Sequence, residues 1–263
     1  MAAIARAHYL DGLSRVEIAE RFGISRFRVA RLLERARDEG IVTIRINDSG
    51  LPDQALADRL RDALGLRLCR VVRSHGDDDA VRHQVGAVAA RFLSDSVAEN
   101  EILGIAWGRT LTAMMTQLTH LPRLTVVQLT GFVAGDLESS PIAVIRHAAL
   151  RSGGDVFPIF APLYVRDLAT AQSLREHPDI RAAMELFPKV TTAVLSVGAW
   201  DTDASQLKKA VPPGEEPDDG ITSWYADIAG ILLNEDGTQL DPEFEQRSIS
   251  ITFEQLRAVP RVI

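Results

Sequence analysis

The chain has 263 residues, 46% of them hydrophobic, and a formal net charge of −7. That is enough apolar material for a small module plus a larger domain with a core of its own, and the acidic balance excludes a protein that coats nucleic acid without discrimination. Cys69 is the only cysteine, which excludes an internal disulfide; no signal-peptide pattern and no apolar run of the ~20 residues a membrane span needs is present, so a reduced cytoplasmic setting with no membrane partner is expected.

Residues 2–12 predict a first helix, with Ile4, Ala7 and Leu10 packing inward beside Tyr9 and Gly12 ending it. Ser14 followed by Glu17 is a capping box, so a second helix starts at Arg15. Val16, Ile18, Ala19 and Phe22 supply its apolar side, and Ala19 is small where another helix must cross closely. Gly23 falls where the chain must turn with positive φ, Ile24 plugs the turn, and Ser25 is an N-cap for a third helix. Val29, Leu32, Leu33 and Ala36 then recur at helical spacing. A small residue, a turn glycine and an apolar pair at this spacing are what two crossed helices of a helix-turn-helix require.

The third helix is the candidate DNA reader. Ser25 and Arg26 lie at its amino end, which enters the major groove deepest in this motif. At about 100° per residue, Phe27 and Arg31 face away from Val29, with Arg28 and Arg35 beside them. Arginine binds guanine through two hydrogen bonds, and Phe27 suits a thymine methyl. Arg31 is better placed for a phosphate. Arg35 is either a phosphate contact or the partner of Glu39. Residues 1–46 hold nine arginines against six acids, a balance of +3, so the remainder carries −10. A basic head on an acidic body suits focused contact with operator DNA.

After Gly40, IVTIRI predicts a short β-wing and Asn47–Gly50 a linker, so a winged-helix-like DNA-binding domain is expected over 1–50 and a second domain over 51–263. Pro52 opens an amphipathic helix striped by Leu56, Leu60 and Leu64, which buries against either a partner subunit or the body. LRLCRVV predicts a strand with Cys69 in the core. Residues 80–98 predict a helix with Val81, Val85, Val88, Phe92 and Val97 inward. ILGIAW is an apolar strand, Thr110–Leu118 a helix, LTVVQLT another strand, and Ser140-Pro141 an N-cap and N1 pair opening a helix to Ser152. DVFPIF, TAVLSV, AGILLN and SISITF predict further strands. Strands separated by helices imply an α/β fold with a Rossmann-like parallel sheet covered on both faces.

In such a sheet, ligands bind beyond the carboxyl ends of the strands. Gly108, Arg109 and Thr110 follow the strand ILGIA: the glycine permits close backbone approach, Thr110 can cap the next helix, and a helix start favours a phosphate. Thr130 and Gly131 end LTVVQLT, and Ser140 at the next helix start completes a possible rim. The alternative at each position is a turn residue serving only the fold.

The combined pattern resembles the SorC family of sugar-responsive transcription regulators. The head rests on GLSRVEIAERFGISRFRVARLLERARDEGIV, the body on ILGIAWGRTL, VVQLTG, FAPLYV and DIAGILLNEDG followed by ITFEQLRAVPRVI. The resemblance implies a body similar to sugar-phosphate isomerases that binds a phosphorylated sugar or related effector without turning it over. It places Gly108, Arg109 and Thr110 at the phosphate, Thr130, Gly131 and Ser140 at the sugar end, and Asp227 as an acceptor for hydroxyls. It implies a homodimer or homotetramer on a near-palindromic operator, and no cofactor. The chain departs from the family at Phe132 and Ala226, where glycine is common. Members also continue past PRVI through a glycine-rich turn, a lysine and a helix, whereas this chain stops at Ile263, so its effector site is expected to lack part of a wall. The competing expectations are a sugar-phosphate isomerase or deaminase carrying a DNA-binding head, and a shortened regulator that binds no effector.

No G-x-S-x-G, no phosphate-binding G-x-x-x-x-G-K-[ST] and no cysteine pair occurs. His75 and His83 flank Asp77, Asp78 and Asp79, but their spacing does not bring them to one helix face, and no metal is expected. Trp200, Trp224 and Tyr225 suit either a stack on a sugar or, better, core packing.

Overall fold

The computed structural model describes the whole chain except residues 43–49, 134–140, 200–206, 208–225, 240 and 241. The predicted wing from residue 43 onward, most of the linker, Ser140, Trp200, Trp224 and Tyr225 lie outside the described residues. The chain divides into two compact units, Met1–Asp48 and Ser49–Ile263.

The first unit is three helices, α1 (Ala2–Tyr9), α2 (Arg15–Phe22) and α3 (Arg26–Asp38). Ser14 and Glu17 form the reciprocal capping box: Ser14 Oγ accepts from the Glu17 N–H and Glu17 Oε2 from the Ser14 N–H. Gly23 closes α2 in the left-handed region at φ 64°, ψ 34°, a conformation that costs a side chain but not glycine. Ser25 Oγ then accepts from the Arg28 N–H and opens α3. The core is Ile4, Ala5, Ala7, Ile18, Val29, Leu33 and Ala36, with Leu32, Ala19 and Ile24 packed at its margin. Three expected core positions are different. Leu10 is 75% exposed because α1 ends at Tyr9 and the chain turns away. Val16 and Phe22 are exposed because the eight-residue α2 has only one face against its neighbours, and Ile18 occupies it.

In the second unit, β1 (Leu51–Pro52) pairs antiparallel with β2 (Val72–Arg73). Between them α4 (Gln54–Leu64) starts at Asp53, whose carboxylate accepts from the Leu56 N–H. Only Ala57 of α4 is buried; Leu56, Leu60 and Leu64 are exposed in the single chain. The long α5 (Asp78–Ser96) leads to β3 (Ile102–Ile105), α6 (Arg109–Gln117), β4 (Thr125–Gln128), α7 (Pro141–Ser152) and β5 (Val156–Phe157). Next come α8 (Leu168–Glu176), α9 (Pro178–Met184), a 3-10 turn at Phe187–Lys189 and β6 (Thr192–Val194). Then follow β7 (Val197–Ala199), β8 (Ala226–Ile228), β9 (Ile231–Leu233), α10 (Pro242–Gln246), α11 (Phe253–Ala258) and β10 (Arg261–Val262).

Five strands form a fully parallel sheet in the order β10-β6-β3-β4-β5. Ile105 pairs with Val194 on one side and Gln128 on the other, so β3, β4 and β6 end in one row. Helices cover the sheet, and one apolar cluster runs from Leu93 through Leu103, Val126 and Met114 to Val194 and Ile249. The tightest helix contact is α5 on α6. A methyl at Gly86 would lie 2.7 Å from the Met114 nitrogen and 2.9 Å from the Ala113 carbonyl carbon, so only glycine allows this approach.

That contact corrects the predicted face of α5, of which only Val97 is buried. Gln84, Gly86, Ala90 and Leu93 point inward, while Val85 is exposed and Val88 and Phe92 are half-buried along a groove shared with residues 65–72 and β10. The small residues, not the large apolar ones, meet α6, because close approach demands small size. Of LRLCRVV only Val72 is strand, and Cys69 is half-buried on that groove. SISITF forms no strand; Ser248 and Ser250 make isolated bridges to Tyr164 and Thr130 before α11 begins. AGILLN supplies β9, which joins not the parallel sheet but a separate antiparallel sheet β7-β8-β9.

Candidate functional site

The shared row of strand ends produces a rim. Beyond β3, Trp107 is buried with Leu163, Tyr164, Leu207, Leu232 and Phe244, and this anchor precedes Gly108. Gly108 has φ 147°, in the region glycine favours, and is the N-cap of α6. Ser196, beyond β6, donates from Oγ to the Trp107 carbonyl at 2.9 Å and lies directly against Gly108. A methyl at 108 would be 2.3 Å from that hydroxyl. The glycine therefore lets the start of α6 and the end of β6 meet. Because Gly108 has no side chain, α6 begins without a side-chain cap, and the positive end of its dipole faces the rim. Thr110 is inside the first turn and is not the cap that its position in the sequence suggests; Thr112 Oγ1 instead donates back to the Gly108 carbonyl at 3.2 Å.

A cleft of about 290 Å³ opens here, lined by Gly108, Arg109, Thr110, Ser196, Gly198 and Asp227 among others. Gly198 and Asp227 are direct register partners across β7 and β8. A methyl at 198 would sit 2.3 Å from Asp227 Oδ1, so the carboxylate lies flat over the glycine and is 8% exposed. Trp107 and Arg82 complete the polar and aromatic wall. The lining thus carries two guanidinium groups, a helix amino end and one carboxylate, which suits a ligand with an anionic group at one place and hydroxyls at another.

Four of the predicted effector residues, Gly108, Arg109, Thr110 and Asp227, are therefore brought together, the last from a sequence distance of more than a hundred residues. Thr130 and Gly131 do not line this cleft. Thr130 is fully buried, bridged to Ser250, and its hydroxyl and that of Ser250 have no hydrogen-bond partner among the described residues. Gly131 donates to the Ile249 carbonyl at 2.7 Å and lies so close to the Ala161 and Pro162 carbonyls that no side chain fits. Nearby, the buried Gln128 amide donates to the Thr130 and Ile159 carbonyls and accepts from the Ile159 N–H. Sequence reasoning missed Arg82, Ser196 and Gly198. Arg82 lies on a helix with no glycine-rich signature, and the other two gain meaning only from what they touch.

On the first unit, Ser25, Arg26, Phe27, Arg28 and Arg31 are all exposed, and Phe27 is 68% so. The Arg26 guanidinium stands 5.0 Å from the Phe27 ring centre, a cation–π contact at the amino end of α3. Arg35 is committed to Glu39 at 2.7 Å. Of the acidic cluster that resembled a metal site, Asp77 caps α5 by accepting from the Ala80 N–H, and Asp78 and Asp79 pair with Arg82.

A capped helix-turn-helix with an exposed arginine-rich second helix, on a chain whose parallel α/β domain has a polar cleft at its strand ends, defines a transcriptional regulator with a ligand-binding domain. Residues 52–263 match the family model described as "Putative sugar-binding domain". The chain is 27% identical to Transcriptional regulator LsrR of Klebsiella pneumoniae subsp. pneumoniae over 273 residues, covering 100% of this chain and 81% of the relative. It is 27% identical to the Deoxyribonucleoside regulator of Bacillus subtilis over 267 residues, covering 98% and 84%. The crystal structure of the full-length Sorbitol Operon Regulator SorC from Klebsiella pneumoniae has the same fold, with a TM-score of 0.71 at 20% identity over 99% of this chain and 86% of that one. The chain belongs to the SorC family of sugar-binding transcriptional regulators.

Proposed function

We propose that this protein binds operator DNA through Ser25, Arg26, Phe27, Arg28 and Arg31, and that a phosphorylated sugar or a related small anion in the cleft at Gly108, Arg109, Thr110 and Asp227 sets its operator affinity. The observation that carries the reading is the convergence, in one cleft, of the α6 amino end with Arg109 and with the carboxylate of Asp227. Thr130 and Gly131 reach such a ligand only through a rearrangement of the rim; Ser140 lies outside the described residues. Asp227 is the single carboxylate of the lining and no histidine joins it among the described residues; isomerase or deaminase chemistry requires a paired acid and base, so binding without turnover is the better reading. No cofactor is needed. On this reading the protein works in the cytoplasm, where operator DNA lies; no described helix is long and apolar enough to cross a membrane.

A near-palindromic operator needs two heads, so the protein acts as a homodimer or homotetramer, with half-sites about one helical turn apart or a multiple of it. The exposed Leu56, Leu60 and Leu64 stripe of α4 supports such assembly. A ligand regulates only if it binds one subunit arrangement more tightly than the other. Fluorescence anisotropy on DNA from the protein's own promoter tests the reading. Arg26→Ala or Arg28→Ala is expected to weaken specific binding by roughly 5- to 100-fold, the loss of one bidentate base contact, with an unchanged circular-dichroism spectrum. Wild-type affinity in both variants refutes the assignment of α3. A panel of sugar phosphates added to the same assay is expected to contain a compound that shifts the wild-type curve; turnover of that compound, lost in Asp227→Asn, would favour the enzyme instead.

A further inference from the structure

The lining of the cleft includes one side chain that comes from neither the strands, nor the turns beside them, nor α6. Arg82 reaches it from the first turns of α5. Its backbone position is held firmly. Gly86, one turn later, is in direct backbone contact with Ala113 and Met114 of α6, and Gln117 Nε2 donates to the His83 carbonyl at 2.7 Å. α5 and α6 therefore behave as one support, with Arg82 at its edge and Gly108–Thr110 at the α6 start.

The Arg82 side chain is 19% exposed, yet its partners are not protected. Nη2 meets Asp78 at 3.2 Å and Nη1 meets Asp79, and those carboxylates are 91% and 84% exposed. Exposed carboxylates in water hold a cation weakly. A phosphoryl group inside the cleft offers three oxygens in a lower dielectric and matches the guanidinium fork with two parallel hydrogen bonds. The exchange of partners is therefore favourable only when the ligand carries a charged group.

We propose that Arg82 is the charge selector of this cleft: Asp78 and Asp79 hold its guanidinium at the rim, and an anionic ligand draws it from them, so that phosphorylated compounds are favoured over the neutral sugars of the same shape. The proposal rests on the reading of the cleft as an effector site. It assigns Asp78 and Asp79 the role of competitors for Arg82, which no structural role for that arginine requires.

Calorimetric titration of the full chain with inorganic phosphate, and with glucose 6-phosphate against glucose, tests it. In wild type, phosphate binds and the phosphorylated sugar outcompetes the neutral one. Arg82→Ala is expected to lower phosphate affinity about tenfold and to shrink that preference, the loss of one charge-assisted pair. Arg82→Lys keeps the charge but not the fork and falls between. Asp78→Asn/Asp79→Asn, which frees the guanidinium, is expected to bind phosphate about threefold more tightly; a merely structural arginine would produce no gain. Gly108→Val, which fills the α6 start, is the control for the cleft itself, used at a temperature where its circular-dichroism spectrum matches that of wild type. If phosphate binds wild type but not Gly108→Val, and neither the Arg82 variants nor the double asparagine variant differ from wild type, the proposal is wrong and the cleft stands. If no phosphorylated compound binds wild type at all, the cleft reading falls and the proposal with it.

Discussion

Replacing Gly108 by alanine perturbs the site at its narrowest point. The new methyl would be 2.3 Å from Ser196 Oγ and 3.2 Å from Ser196 Cβ, so the hydroxyl must leave, and its bond to the Trp107 carbonyl at 2.9 Å is lost. The backbone at φ 147° adds strain of about 1–3 kcal/mol for a residue with a Cβ, and the lost hydrogen bond adds about 1 kcal/mol. The expected destabilisation of the second unit is roughly 2–4 kcal/mol. All three tryptophans, Trp107, Trp200 and Trp224, belong to that unit, so urea denaturation followed by tryptophan fluorescence reads it without interference from the head. At a urea slope near 2–3 kcal/mol/M, the midpoint should fall by about 1 M. Ser196→Ala alone should cost about 1 kcal/mol, but in the Gly108→Ala background it should cost nothing further, because the hydroxyl is already displaced. A Gly108→Ala midpoint equal to that of wild type, or additive effects of the two changes, would refute the described contact and with it the geometry of the α6 start.

Two further outcomes follow from neighbouring contacts. Gly198→Ala is expected to push the Asp227 carboxylate off β7, where Oδ1 now lies 2.3 Å from the added methyl position; effector affinity should fall more than the urea midpoint does, and a variant that keeps full affinity removes Asp227 from the site. Glu101 supplies a pH dependence. Burial alone would raise its carboxyl, but hydrogen bonds from Thr192 Oγ1 at 2.7 Å, the Ala98 N–H at 3.1 Å and Thr191 Oγ1, with the Arg261 charge nearby, outweigh burial and hold it below the ordinary glutamate value. A depressed folded-state value contributes stability that is present above the unfolded value of about 4.3 and lost as pH falls through the folded one. Glu101→Gln should therefore lower the melting temperature at pH 7, and that loss should shrink as pH falls below about 4.3. A loss that stays constant on acidification would contradict the assignment.

The three helices of the head were legible in the sequence. Its signals are local: the Ser14–Glu17 box spans three residues, Gly23 answers a single backbone angle, and Ser25 reaches only to the Arg28 N–H. Such interactions are complete within one turn, so the order of residues decides them. Even there, exposure went astray at Leu10, Val16 and Phe22, because a short helix buries only the part that a neighbour covers.

The parallel sheet was legible as well, since apolar runs between helical stretches leave few topologies. What packed against what was not. The α5 sequence presents a valine stripe, and the structure seats Gly86 and Ala90 instead, because backbone approach to α6 depends on size at a point of contact that no periodicity marks. The antiparallel β7-β8-β9 sheet, the pairing of Gly198 with Asp227 and the arrival of Arg82 at the cleft are likewise meetings of distant segments. Residue order by itself determined a capped helix-turn-helix head, an α/β body and the glycine that opens α6. Tertiary structure alone decided which charges face one another across the cleft, because side chains far apart along the chain acquire a shared electrostatic role only when the fold holds them within reach.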